Sequence, residues 1–350
     1  MKPMKKETLI GLGAMGVFFA PRISEKLGAG FRIMASGARK DRLEQKGVTV
    51  NGINYRFPIV TPEDNDGPSD LVIIAVKGYD LAQALKDIKY QVGPETIILP
   101  VLNGIDSEKQ TADVYGQEHV LYSYMRVSIA MKDGKAEFDP EKGLIHFGEE
   151  KNDPGHFSDK VLAVKELFDR CGIDYKIDPD MIKGLWFKFM CNVGENMTCA
   201  MFGIPFGAFQ KSADANYFRR AAMWEVIRVA NRLGVDIGQN EIDRQEKMQA
   251  EILHSFHSAL EHQEFEIYFQ PKVTPCTGVI SSAEVLVRWI RNGQMLWSPA
   301  IYIPLFEQNG FVASLDYYVY GKTFQWLQKY SDTLPEHFQI SLNVSPLHFE

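Results

Sequence analysis

Short, mainly apolar runs open the chain: Thr8-Leu9-Ile10, Phe31-Arg32-Ile33-Met34-Ala35, Leu71-Val72-Ile73-Ile74-Ala75-Val76 and Ile97-Ile98-Leu99-Pro100-Val101. Segments with helical spacing separate them, and this alternation from Thr8 to about Pro179 predicts a parallel sheet with crossover helices. The third run is apolar on both faces, as a central parallel strand covered by helices must be. Val48-Thr49-Val50 and Ile53-Asn54-Tyr55 flank Asn51-Gly52, and Asp133-Gly134 repeats the signal, so two antiparallel hairpins are expected to decorate the sheet. Beyond Pro179 the strand signals stop. Met181 to about Met201 and Ala215 to Leu233 read as long helices. A charged, glutamine-rich helix near Glu241 to Ala250 then leads into Phe265-Glu266-Ile267-Tyr268-Phe269-Gln270-Pro271, a strand of another style. The expected division is 1–179, 180–245 and 246–350.

Composition narrows this picture. A chain of 350 residues with 45% hydrophobic and 24% charged positions is ordinary globular material for two or three domains. A net charge of −7 gives no reason to expect a nucleic-acid partner. Cys171, Cys191, Cys199 and Cys276 form no Cys-x-x-Cys pair and read as reduced, mostly helical thiols. The basic start is followed by an apolar stretch broken by Gly11, Gly13 and Gly16, which is no signal peptide, and no segment approaches the ~20 apolar residues of a membrane span. The expected location is the cytoplasm, without a membrane partner; oligomeric state is left open.

The candidate chemistry begins at Gly11-Leu12-Gly13-Ala14-Met15-Gly16, between a strand and a probable helix. In that context Gly11 permits a tight turn, Gly13 lets the backbone approach a pyrophosphate, and Gly16 lets helix and strand pack closely. The bland alternative is a glycine-rich turn without a ligand. The second strand ends in Ser36-Gly37-Ala38-Arg39-Lys40, where an NAD site usually has an acidic residue. Serine with neighbouring cations suits a 2′-phosphate and hence NADPH, against the alternative of a solvated basic loop. Lys77 and Asn103-Gly104 follow the next two strands, beyond their carboxyl ends, where open α/β sheets bind ligands. Further on, Lys188, Asn192 and Asn196 share one helix face at i, i+4 and i+8. Taken alone, such a lysine reads as a snorkelling surface residue.

Together, the glycine turn, Val76-Lys77, Asn103-Gly104 and Trp186-x-Lys188-x-x-x-Asn192-x-x-x-Asn196 resemble the ketopantoate reductase family over about residues 4 to 245. The resemblance implies a Rossmann-type NADP-binding domain, then an all-α substrate domain that is expected to be truncated. It implies a 2-dehydropantoate 2-reductase activity serving pantothenate biosynthesis, with a small 2-ketoacid as substrate. Lys188 is then the catalytic acid. Lys77 and Asn103 lie at both cofactor and substrate, and Asn192 and Asn196 bind substrate. Arg39 and the glycine turn hold the cofactor. The chain departs from the family at Ser36, where an arginine is common, and no match is found for the family's later serine and glutamate.

From about Gln245 the chain resembles the start of an EAL-type cyclic-di-GMP phosphodiesterase, through Phe265–Lys272, Ala283-Glu284-Val285-Leu286-Val287-Arg288-Trp289, Tyr302–Glu307 and Leu342-Asn343-Val344-Ser345. The resemblance implies the N-terminal part of a TIM-barrel-like domain. Glu284 and Asn343 would be ligands of Mg²⁺ or Mn²⁺, and Gln270 and Arg288 would contact the dinucleotide. The sequence ends before further acidic ligands, so this segment is expected to be inactive. Two rival readings follow: a cyclic-di-GMP phosphodiesterase or sensor, or a non-catalytic fusion of two incomplete domains.

Overall fold

The computed structural model describes residues 3–127, 129–138, 143–273, 279–335, 338–345 and 348. It forms two compact units, Met1–Glu195 with Ala221–Gly238, and Asn196–Arg220 with Gln239–Glu350. The elements run β1 (Glu7–Ile10), α1 (Gly16–Leu27), β2 (Phe31–Met34), α2 (Gly37–Lys46), β3 (Val48–Val50), β4 (Ile53–Tyr55), β5 (Ile59–Val60) and β6 (Leu71–Ile74). They continue α3 (Leu81–Asp87), β7 (Ile97–Pro100), α4 (Ser107–Tyr115), β8 (Tyr122–Arg126), β9 (Ala130–Lys132), β10 (Lys135–Glu137), β11 (Leu144–Gly148), α5 (Asp159–Cys171), β12 (Tyr175–Lys176) and α6 (Met181–Cys191).

Strands β5-β2-β1-β6-β7 form the expected sheet, and every pairing in it is parallel. Successive residues of one strand feed opposite cores. Leu9, Ile33, Ile73 and Leu99 pack with Phe18, Phe19 and Phe168 on one face, whereas Ile10, Met34, Val72, Ile74 and Ile98 pack with Leu81 and Leu85 on the other. This is why the strands read as continuous apolar runs. The strand order reverses between β1 and β6, which places a crevice at their carboxyl ends.

Both hairpins form. Asn51 and Gly52 have φ of 49° and 80°, and Asp133 and Gly134 have 50° and 79°, the paired left-handed conformation of a two-residue turn. They do not decorate the parallel sheet. Thr49 N–H donates to the Gly134 carbonyl at 3.0 Å and Asn51 N–H to Ala136 at 2.9 Å, so the hairpins cover each other's edges in a separate sheet of order β4-β3-β10-β9. A third sheet is β12-β11-β8.

After α6, where Asp180 caps the helix by accepting from Lys183 N–H at 3.0 Å, residues Asn192–Met197 make a π-helical turn. Helices α7 (Thr198–Phe202), α8 (Ala208–Lys211), α9 (Ala213–Arg232) and α10 (Gln239–Glu261) follow, and residue 245 lies inside α10 without a break in the helix. The C-terminal elements are β13 (Phe265–Val273), β14 (Ile280–Arg291), β15 (Gln294–Trp297), α11 (Pro299–Asn309), α12 (Phe311–Tyr330) and β16 (Gln339–Ser341). β14 pairs antiparallel with β13 and β15 and parallel with β16. Phe256, Phe265, Trp289, Tyr302 and Phe306 are fully buried against one another, and Glu264 joins this core to the sheet by accepting from Trp289 Nε1 at 2.9 Å and from the Arg291 fork at 2.8 and 3.0 Å.

Cys171, Cys191 and Cys199 lie in helices and are not joined in disulfides; the first two are buried, and burial pushes Cys171 up to about 11. Cys276 lies outside the described residues. No helix among the described residues is long and apolar enough to cross a membrane.

Candidate active site

The glycine turn owes its sequence to two close backbone approaches. A Cβ on Gly11, whose φ is +99°, would fall 2.5 Å from the carbonyl carbon of Ala75. One on Gly16 would meet the Gly11 carbonyl oxygen at 2.2 Å. Only glycine lets the exit of β6 and the first turn of α1 share this corner. Gly13 differs: it has no neighbour within 4 Å of a Cβ position, and it faces open space at the start of α1. Its N–H donates to Gly11 at 2.9 Å, and Val17 N–H returns to the Gly13 carbonyl at 2.9 Å. No side chain caps α1 and its first turn holds no acid. The uncapped N–H groups, their partial positive charge and the space above Gly13 fit a pyrophosphate.

Ser36 is the N-cap residue of α2 and makes no side-chain cap, while Gly37 opens the helix. Arg39 and Arg42 stand exposed on it, and Lys40 is paired with Glu44 at 3.7 Å. Partial desolvation and then the Arg42 charge depress the Arg39 pKa, although arginine stays charged. Two adjacent cations without a carboxylate within ion-pair distance among the described residues fit a phosphate monoester.

Lys77 and Asn103 are both exposed just beyond β6 and β7. The strand ends are held in step by Ala75 N–H to Ile10 and Val101 N–H to Ile74, each at 2.8 Å. The structure therefore brings the glycine turn, Lys77 and Asn103 to one edge of the parallel sheet.

β8 carries the second half of the site to that edge. Val120 bridges Ile98 in parallel, and the Ser123 hydroxyl donates to the Pro100 carbonyl at the end of β7. Arg126 thus overshoots the sheet by three residues, on the order of 10 Å. Helix α6 runs alongside. Tyr124 fits against Gly184, where a Cβ would lie 2.8 Å from its ring, and the Arg126 guanidinium lies 5.7 Å from the centre of the Phe187 ring. Lys188 is the next residue. It is half-buried, and burial followed by the Arg126 charge lowers its pKa from the usual lysine value. Asn192 begins the π turn; Asn196 is the first residue of the other unit.

Beneath these residues lies a polar cluster that the sequence reading missed. Asp178 Oδ2 accepts from the Tyr124 hydroxyl at 2.6 Å and pairs with His146 Nδ1 at 2.7 Å, and the Tyr124 and His146 rings stack at 4.3 Å. Although burial alone would raise the Asp178 pKa, the bond to His146 holds it well below the usual carboxylate range. Arg126 was missed as well; the available signal was an arginine inside the otherwise uncharged strand Tyr122–Arg126.

In the C-terminal segment Glu284 lies opposite Gln270 across β13 and β14, and Glu266 opposite Arg288. Glu284 Oε2 lies 3.0 Å from Lys272 Nζ and Oε1 accepts from Asn343 Nδ2 at 3.2 Å. Both carboxylate oxygens are thus engaged by donors. No group of three His, Cys, Asp or Glu side chains suited to a metal occurs among the described residues. This donor set does not fit an octahedral Mg²⁺ or Mn²⁺ site.

Residues 8–152 match the family model described as ketopantoate reductase PanE/ApbA, and residues 180–262 match its C-terminal counterpart. Residues 253–350 match the EAL domain model, sharing 253–262 with the preceding match. A 2-dehydropantoate 2-reductase of Streptococcus pyogenes serotype M6 is 26% identical over 237 residues, 67% of this chain and 76% of its own length. The Bacillus subtilis uncharacterized oxidoreductase YkpB is 24% identical over 66% of this chain and 76% of its own. Among solved structures, 2-dehydropantoate 2-reductase from Porphyromonas gingivalis W83 superposes with a TM-score of 0.59 at 21% identity, covering 74% of this chain and 93% of that one. D-mandelate dehydrogenase with NADH and anilino(oxo)acetate gives a TM-score of 0.59 at 19% identity, over 67% and 77%. The uncharacterized protein sll1895 of Synechocystis is 30% identical over 135 residues, 34% of this chain and 19% of its own length.

Proposed function

We propose, since this chain belongs to the ketopantoate reductase family across residues 8–152 and 180–262, that it reduces 2-dehydropantoate with NADPH. The observation that carries the reading is Lys188, a half-buried lysine whose pKa is lowered by burial and by the nearby Arg126 charge, one residue after the Phe187 ring that Arg126 meets. Named relatives that are 2-dehydropantoate 2-reductases support the substrate, and a nicotinamide-bound dehydrogenase of the same fold supports the cofactor class.

The reduced nicotinamide, when bound, supplies the hydride. The glycine turn holds the pyrophosphate with the backbone N–H groups of Ala14, Met15 and Gly16 at the α1 N-terminus, and Arg39 with Arg42 takes the 2′-phosphate. Lys77 and Asn103 orient the reacting ends from the tips of β6 and β7. Charge builds on the ketone oxygen during reduction, so the Lys188 ammonium polarises that oxygen and then gives it a proton. Its lowered pKa makes the transfer easier at neutral pH. Asn192, at the start of the π turn, binds a hydroxyl oxygen of the substrate without adding charge.

For the C-terminal segment we propose no hydrolase role, because the Glu284 carboxylate is engaged by Lys272 and Asn343. The function is tested by following NADPH absorbance with and without ketopantoate. The reading expects ketopantoate-dependent oxidation yielding pantoate; oxidation that ignores the ketoacid contradicts it.

A further inference from the structure

Arg126 sits at the end of β8 on the same face as Tyr124, two residues before it, because strand side chains alternate. Tyr124 fits against Gly184 of α6, and the Arg126 guanidinium reaches the Phe187 ring, so strand and helix deliver Arg126 and Lys188 to the same edge. The Arg126 Nε atom is buried and has no hydrogen-bond partner. No carboxylate pairs with this guanidinium among the described residues. A buried, unpartnered N–H costs stability unless something arrives to accept from it. Arginine presents two parallel donors that match a carboxylate, and the Phe187 ring, with its centre 5.7 Å away, packs beside that fork.

We propose that Arg126 anchors the carboxylate of the 2-ketoacid and so determines specificity for acids, leaving the adjacent ketone oxygen to Lys188. The proposal rests on the reductase reading for the identity of the substrate. The carboxylate would accept from Nε–H and one terminal N–H, giving the buried nitrogen its partner. An anion between Arg126 and Lys188 also relieves the repulsion by which Arg126 depresses the lysine. Asn192, which begins the π turn, is neutral, so it cannot select an acid over its amide by charge.

The test uses the full chain with Arg126→Met and Arg126→Lys. Calorimetry measures ketopantoate binding to the NADP⁺-saturated protein, and steady-state rates compare ketopantoate with its uncharged amide. A charge-assisted fork predicts that Arg126→Met weakens ketopantoate and raises its KM about 10- to 100-fold. NADPH affinity and the weak amide reaction should hold, and Arg126→Lys should recover part of the acid preference. Unchanged acid binding in Arg126→Met, or equal losses for acid and amide, overturns the proposal. A wild-type chain that binds ketopantoate but does not reduce it contradicts the reductase reading, and the calorimetric comparison still decides the role of Arg126. A wild-type chain that binds no ketopantoate overturns both.

Discussion

Gly11 and Ala75 approach so closely that a Cβ on the glycine would lie 2.5 Å from the alanine carbonyl carbon, while Gly13, two residues on, faces open space. The two glycines therefore have different reasons to exist, and mutation separates them. Gly11→Ala forces a left-handed backbone and a backbone clash and should cost about 3 kcal/mol or more in urea unfolding. Gly13→Val should unfold within about 0.5 kcal/mol of wild type and yet lose at least about tenfold in NADPH affinity. Equal stability losses at both positions would mean that Gly13 serves packing alone.

The proposed role of α2 in selecting NADPH can be tested directly. Replacing Arg39 and Arg42 together by alanine removes two cations with no carboxylate within ion-pair distance among the described residues, so NADPH affinity should fall about 10- to 100-fold while NADH affinity changes little. Fluorescence titration of both cofactors checks this. A parallel loss for the two would place the arginines away from the 2′-phosphate.

Glu7 offers a test of stability. It is fully buried in β1 with neither carboxylate oxygen hydrogen-bonded, and burial raises its pKa well above 4.5 despite attraction to Arg170. The native state holds this proton more tightly than the unfolded chain, so the contribution of Glu7 is most favourable below about pH 4.5 and declines as pH rises toward the folded pKa. Glu7→Leu should remove that decline and stabilise the protein by about 1–3 kcal/mol at pH 8. Unfolding at pH 5 and pH 8 reads the difference. The same slope in wild type and variant would show that the carboxyl is ionised and solvated.

Much of this was legible in the sequence, for reasons that differ by element. The parallel strands were visible because burial on two faces leaves continuous apolar runs, and both hairpins because Asn51-Gly52 and Asp133-Gly134 demand left-handed turns. Local signals end there. Nothing in Val48–Val50 or Lys135–Glu137 says that these strands pair with each other in parallel, since that pairing joins residues far apart in the chain. Lys77, Asn103 and Lys188 could be picked out because each sits at a strand end or in a distinctive helix. Asp178, His146 and Tyr124 could not, since they meet only after β8, β11 and α6 pack. The π turn at Asn192–Met197 was invisible for the same reason: an i, i+4, i+8 pattern reads as an α-helix until the packed backbone shows otherwise.

The C-terminal segment should add no hydrolase activity to the 350-residue chain. With Mg²⁺ or Mn²⁺ present, linear dinucleotide formed from cyclic-di-GMP should not exceed that of a Glu284→Ala control, because Lys272 and Asn343 already engage the glutamate. Product well above the control would show that the metal displaces the lysine, and would make the segment a second active site.

The central claim is that Lys188 supplies the proton to the reduced ketone, and its most direct test is ketopantoate-dependent NADPH oxidation by wild type and Lys188→Ala across pH. Wild-type activity should decline as pH rises through the lowered lysine pKa, where the ammonium is lost. The variant should lose roughly 10²–10⁴-fold in kcat, keep its NADPH affinity and show no such decline. A variant with near wild-type kcat, or with the same high-pH decline, would contradict the assignment.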